Sequence, residues 1–369
     1  MNRMRAFLIT CILKKRFTSS LLSRLAEAGV KDYGITPVRI LTLHESRRGL
    51  DLLHRFRLVE EPGEMVHFFV GPHQEEAVLD YLARGCELTM PGRGTVYSEE
   101  VEVLGSQQNI PEVGFPVLEG SPAVKQSSLT GICCVLQRGQ ANEVARVALD
   151  MGLCVPAVSF GQGMGIRDKL GLLRVAIPGQ KEIIYIAGSR YDSETLMRMM
   201  IRAGQLDRPG KGFIYMYPIR KGVVDTKITH GLTRHVASVE QIIAALDELK
   251  GDMGWRRRAH RELVQVNPDY FLLDLLDLWV VCNEGTGKDL VKSAMRAGAG
   301  GATITRMKQF FEQDSRPKGM SSAREVCDIC VAQDLLEDVV SALEKGGLFQ
   351  EEASGEIWLR KAPKAYTYN

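Results

Sequence analysis

One motif written twice constrains this chain more than any bulk property does. Pro91-Gly92-Arg93-Gly94-Thr95-Val96-Tyr97 reappears 118 residues later as Pro209-Gly210-Lys211-Gly212-Phe213-Ile214-Tyr215. The same spacing of 118 sets Glu64-Met65-Val66-His67-Phe68 on Glu182-Ile183-Ile184-Tyr185-Ile186, Glu76 on Glu194 and Arg84 on Arg202. A repeat that serves an apolar run, a helical pattern and a turn at once is one structural unit used again. A weaker third copy lies 143 residues beyond the second, with Glu325-Val326-Cys327-Asp328-Ile329 on the strand, Glu337 on Glu194 and Gly355 on Gly212. There Ala353-Ser354-Gly355 stands in place of the Pro-Gly-basic-Gly turn. In the front halves Gly29, Gly152 and Gly298 each close a helical pattern, at spacings of 123 and 146. The copies therefore differ in length only in their middle segment, which marks a loop.

Each copy reads as strand, helix, strand, loop, strand, helix, strand. In the second, 132–136 is an apolar strand, and 141–151 carries Val144, Val147, Ala148 and Met151 at helical spacing before Gly152 stops it. Strands at 155–160 and 182–187 flank the glycine-rich stretch 161–181, and a helix near 193–203 leads to a last strand at 213–218. That βαββαβ order predicts the ferredoxin-like split unit, with two helices on one sheet face and the other face needing a cover. The expected class is α+β, in three such domains that cover one another: 1–104, 129–229 and 271–369. The stretch 105–128, with Gly, Pro and Ser and little periodicity, reads as a linker. The insert 230–270 reads as helical, since Ser238 and Gln241 form a capping box ahead of a Val239, Ile242, Leu246, Leu249 stripe.

With 47 Lys and Arg against 45 Asp and Glu, a formal charge of +2 gives no electrostatic case for nucleic acid or an anionic membrane as partner. The longest apolar run, 271–281, is broken by Asp274 and Asp277 and is too short for a bilayer span. Residues 6–13 run into Lys14-Lys15-Arg16 with no small-residue cleavage site, so they read as a first strand rather than a signal peptide. Eight cysteines, several inside apolar runs, fit reduced thiols and a cytoplasmic location. Cys327 and Cys330 form a C-x-x-C, but in a strand those positions face opposite ways and no second pair completes a metal site.

The second copy resembles the P-II-type nitrogen regulatory signalling proteins over about 90 residues. The likeness rests on Arg138-Gly139 after the first strand, Phe160-Gly161-Gln162-Gly163-Met164-Gly165 opening the large loop, and Ile201-Arg202-Ala203-Gly204-Gln205 before Pro209-Gly210-Lys211-Gly212. The third copy keeps Gly301-Ala302-Thr303-Ile304, and the first keeps the turn before its last strand. Members of that family are homotrimers of one βαββαβ unit, so the resemblance implies a fused intramolecular pseudo-trimer, alone or in a higher assembly. It also implies adenine nucleotides (ATP, ADP or AMP) in clefts between units, a regulated protein partner and a place in nitrogen regulation. The residues agree for the second copy, because Gly161, Gly163 and Gly165 free backbone N–H groups for an anion while Arg208, Gly210, Lys211, Gly212 and Arg220 supply a turn and positive charge. Gly92, Arg93 and Gly94 are the sparser set in the first copy. The large loop 161–181 contains no tyrosine to receive a nucleotidyl group.

Glu284-Gly285-Thr286-Gly287-Lys288-Asp289 lacks both the spacing and the hydroxyl of a P-loop and reads as a helix start. The seven histidines show no metal spacing, and no nucleophile with a base emerges, so the chain does not read as an enzyme and no cofactor is assigned. The expected function is a regulatory protein that binds a small anionic ligand between domains and signals through loops. A structural module with filled clefts, or an enzyme whose site is shared between domains, are the alternatives.

Overall fold

The computed structural model describes residues 3–46, 55–105, 113–165, 179–230, 270–311 and 318–368. The helical insert read at 230–270 lies almost wholly outside them, as do parts of the expected linker and of the loop 161–181. Along the chain run β1 (Arg3–Lys14), α1 (Lys15–Glu27), β2 (Asp32–Ser46), β3 (Arg55–Val70), α2 (Glu75–Gly85) and β4 (Thr95–Gly105). Then come β5 (Leu129–Gln137), α3 (Ala141–Asp150), β6 (Ala157–Met164), β7 (Gln180–Ser189), α4 (Ser193–Gly204) and β8 (Gly212–Ile219), with the short β9 (Lys221–Val223) and β10 (Thr229–His230). The last segment is β11 (Phe271–Asn283), α5 (Gly287–Arg296), β12 (Ala302–Phe311), β13 (Ala323–Ala332), α6 (Leu336–Lys345) and β14 (Glu356–Thr367).

Apolar spacing explains the helices. In α4 the buried Leu196, Met197, Met200 and Ile201 form one stripe, and Gln205 ends the helix in the left-handed conformation at φ 51°. The strands instead carry unbroken apolar runs, because most are covered on both faces. In β1 the nine residues from Ala6 to Lys14 are all buried. One face of the sheet packs under a helix pair, giving three outer cores beneath α1/α2, α3/α4 and α5/α6. The other faces converge on a central core shared by all three segments, with Leu8, Tyr97, Cys133, Tyr215, Trp279 and Trp358 among its members.

The strands do not stay in three sheets, and this corrects the expected fold. One antiparallel circuit runs β2-β3-β1-β4-β14-β8-β5-β7-β6-β12 and returns to β2, with β11 and β13 bridging β14 to β12. The molecule is a closed ten-strand antiparallel β-barrel, mostly β and 25% helical. It is not an α+β assembly of three ferredoxin-like domains, and the ferredoxin-like pseudo-trimer of the P-II type implied by the resemblance is withdrawn with it, as is nitrogen regulation. The physical reason lies at the strand edges. A four-stranded sheet leaves two rows of unpaired N–H and C=O groups, and here each row is taken up by another segment. Leu104 pairs with Ile357 across β4/β14, Ala365 with Tyr215 across β14/β8, and Thr303 with Gly163 across β12/β6. Once these ladders form, no segment has a sheet of its own.

Repeated side chains stitch the same joints. Glu76, Glu194 and Glu337, equivalent by the 118 and 143 spacings, pair with Lys221 at 2.8 Å, with Lys364 at 2.9 Å and with Arg3, each cation coming from a different segment. Residues 113–128, read from sequence as a plain linker, lie on the first helix pair, where Phe115 and Leu118 pack and Ala123 N donates to Asp80 Oδ1 at 2.7 Å. None of the described helices is long and apolar enough to cross a membrane.

Candidate functional site

The two copies of the Pro-Gly-basic-Gly turn have the same backbone. In the first, Met90 N donates to Glu87 O and Arg93 N to Met90 O, with Gly92 at φ 88° and Gly94 at φ 137°. In the second, Arg208 N donates to Gln205 O and Lys211 N to Arg208 O, with Gly210 at φ 71° and Gly212 at φ 159°. A Cβ on Gly94 would lie 2.6 Å from Ile12 O, and one on Gly212 would lie 2.2 Å from Val135 O, so both turns require glycine where the chain passes the first strand of its segment.

What the turns hold differs. Gly92 N donates to Asp225 Oδ1 at 2.8 Å, and the same oxygen accepts from Lys227 N at 2.9 Å. Asp225 N in turn donates to Thr95 Oγ1 at 2.9 Å. Asp225 is buried, which pushes its carboxyl up from the usual range against the opposing pull of the Lys227 and Gly92 N–H groups and the Lys14 charge. Arg93 is also engaged, bonded to Glu87 at 2.7 Å and stacked 4.8 Å over Phe17.

Strand register identifies what stands in that place at the second turn. Val96 of β4 pairs with Val223, and its equivalent Ile214 of β8 pairs with Tyr366. Two residues beyond Val223 is Asp225; two residues beyond Tyr366 is Tyr368, which is 38% exposed. The register position of the carboxylate thus belongs to a tyrosine, whose ring lies 5.2 Å from that of Tyr270. Among the described residues Gly210 N has no hydrogen-bond partner, while Gly210 O accepts from Gln137 Nε2 at 3.0 Å. Among the described residues the Arg208 side chain bonds only Gln205 Oε1 at 3.1 Å, Lys211 makes no ion pair, and Arg138 beside Gln137 bonds the neutral Gln180. Asp207 is the one acidic residue within the turn sequence 205–212. The result is an exposed donor flanked by Arg208 and Lys211, with Asp207 nearby and, among the described residues, no carboxylate bonded to Gly210 N.

The remaining sequence-predicted residues sort themselves by place. Gly161, Lys181 and Gln137 stand in one row across β6, β7 and β5, at the sheet end where the 208–212 turn lies. Gly161 and Gly163 are small because the strands approach closely: a Cβ on Gly161 would lie 2.9 Å from Thr303 and Ile183, and one on Gly163 would lie 2.7 Å from Lys181. Gly165 continues that edge, 3.5 Å in the same sense from Gly300 O. Arg220 is at the far end of β8, where it bonds Glu75 at 3.2 Å and Glu100 at 3.4 Å and stacks 4.8 Å over Phe7. It is thus separated from Lys211 by the length of the strand.

A further ready-made anion site is already filled. Glu182 Oε2 accepts from Gly139 N at 2.8 Å and Ala141 N at 3.0 Å, occupying the start of α3, and its other oxygen takes Arg39 at 2.8 Å. Glu325 Oε2 does the same for Gly287 N at 2.9 Å, which places 284–289 at a helix start.

Sequence reasoning missed the barrel interior. Arg360 is buried there, its Nε 2.6 Å from Asp277 Oδ2, its Nη1 on Glu99 and its Nη2 3.3 Å from Tyr215 Oη. Tyr215 donates to Asp328 Oδ2 at 2.7 Å. Burial raises the Glu99 carboxyl against the Arg360 charge, and raises Asp328 well above its ordinary value with help from Asp277. His67, bonded to Thr10 through Nδ1, is driven down to about 3 by burial and then by Arg360, so its ring is neutral. The signal was present: Asp277 and Asp328 sit inside the apolar runs 275–282 and 326–331, and Arg360 follows the apolar 357–359. No family model matches the chain, and no curated protein matches it.

Proposed function

We propose that the protein is a regulatory anion-binding protein whose site is the exposed turn 208–212, and that its ligand is a small phosphate-bearing molecule. The observation that carries this reading is Asp225 on Gly92: the chain itself seats an anionic oxygen on one copy of the turn, and the other copy has the same donor, two neighbouring cations and a tyrosine where the carboxylate would be. Backbone N–H groups in such concave turns favour anions, and Arg and Lys beside them strengthen the attraction. Tyr368, half-exposed at the register position next to the turn and packed on Tyr270, would give a base something to stack on, which suits a nucleotide better than bare phosphate. A ligand held by Gly210, Lys211 and Tyr368 would bridge the second and third segments, and that differential contact is the means by which binding would alter the molecule.

Thermal shift with ATP, ADP, AMP and inorganic phosphate, followed by calorimetry on any that raise the melting temperature, tests the proposal. Binding by at least one of them, lost in Arg208→Ala/Lys211→Ala and kept in Arg220→Ala, is the expected result. No binding of any, or binding indifferent to Arg208 and Lys211, would leave a structural module in its place.

A further inference from the structure

Around Arg360, among the described residues, carboxylates outnumber the guanidinium that holds them, while the other buried guanidinium of that wall, Arg324, bonds Asn283 and backbone carbonyls instead. Arg360 on β14 pairs in register with Asp277 on β11, and Asp277 pairs in register with Cys330 on β13. Asp328 is two residues from Cys330 and so projects from the same face of β13. Three carboxylates, Glu99, Asp277 and Asp328, therefore surround Arg360. If all are ionised the group is two charges short of neutral, in a place where unbalanced charge is costly.

The side chains are also arranged for a ligand. One donor atom from each of Asp277, Asp328 and Cys330 lies within 4.8 Å of the other two. Asp277 is completely buried, and while its Oδ2 is held by Arg360, its Oδ1 has no hydrogen-bond partner. A buried carboxylate oxygen left unsatisfied beside a second carboxylate and a thiol is a position a cation would complete. Asp328 and Cys330 are partly buried. Cys133 from β5 approaches from the opposite wall, its Sγ 3.9 Å from Asp328 Oδ2.

We infer that Asp277, Asp328 and Cys330 form a divalent transition-metal site inside the barrel, with Cys133 the nearest further donor. A hard-cation site for calcium or magnesium is built from oxygen alone, whereas two carboxylates with a thiol suit zinc or a neighbouring first-row metal. Binding releases the thiol proton of Cys330 to solvent and leaves Cys330 as thiolate, so that the ion is held by two carboxylates and one sulfur. With the thiolate counted the deficit around Arg360 is three charges, and a divalent ion reduces it to one. The inference does not rest on the anion-binding turn, which lies outside the barrel interior.

The test is the metal content of the full chain, purified without chelator and also after dialysis against zinc, together with the absorption spectrum of cobalt-loaded protein. One equivalent of metal per chain is expected, with a sulfur-to-cobalt charge-transfer band that disappears in Cys330→Ser. Asp328→Asn should lose the metal while circular dichroism shows the barrel intact. If that variant does not fold, Cys330→Ser, a change of one atom, decides alone. Wild-type chain that takes up no stoichiometric zinc or cobalt, or a cobalt band that survives Cys330→Ser, would overturn the assignment and leave protons as what balances the carboxylates.

Discussion

The turn at 91–94 and the turn at 209–212 share sequence, hydrogen bonding and glycine conformations, yet one is a closed joint and the other is open. At the first, Asp225 arrives from the following segment, satisfies Gly92 N and is buried. At the second, the equivalent place belongs to Tyr368, and Gly210 is exposed with Lys211 and Arg208 beside it. The difference teaches that one backbone turn can be capped by a carboxylate or left uncapped. Whether it is capped is set by a residue more than a hundred positions away in the chain, and the proposed binding follows from that.

The largest expected effects probe what the turns share. Gly94→Ala and Gly212→Ala each force a Cβ into a backbone carbonyl, and each should lower stability by about 2–4 kcal/mol in denaturant unfolding. A tolerated alanine at either would break the equivalence. Next comes what they do not share. Arg208→Ala/Lys211→Ala should weaken anion binding by roughly tenfold to a hundredfold, as expected for charge-assisted contacts, with the melting temperature of the free protein nearly unchanged.

Asp225→Ala should cost about 1–2 kcal/mol, since it strips the acceptor from two backbone donors, and should convert the first turn into a second binding site. Calorimetry would read this as a rise from one equivalent of ligand to two. The smallest effect on binding belongs to Arg220→Ala, which takes a half-exposed guanidinium from the buried Glu75 and the exposed Glu100, should lower stability by about 1–3 kcal/mol, and should leave ligand affinity untouched. A loss of binding there would move the site to the other end of β8.

Local structure was legible in the sequence and closure was not. The periodicity at 141–151 and 193–203 answers to α3 and α4, and the apolar runs at 132–136 and 213–218 answer to β5 and β8, because helical and strand spacing are properties of consecutive residues. Partners of edge strands are not. Nothing near Gly163 announces that it will lie against Thr303, and that pairing, with those of Leu104 and Ala365, turns three expected domains into one barrel. The site divides in the same way. Gly210 and Lys211 were legible as turn chemistry, and Arg220, read with them, is carried to the far end of its strand. Asp225 was passed over because its meaning depends on a hydrogen bond across 133 positions. Asp277 was noticed only as a break in an apolar run, though a charge that interrupts a strand buried on both faces is itself a sign of an internal polar site.

The amide of Gly210 offers the most direct measurement. In protein labelled with nitrogen-15 at glycine, titration with ATP should move the Gly210 resonance saturably while that of Gly92, already bonded to Asp225, stays in place. Gly210 and Gly92 both remaining still, or both moving alike, would contradict the account.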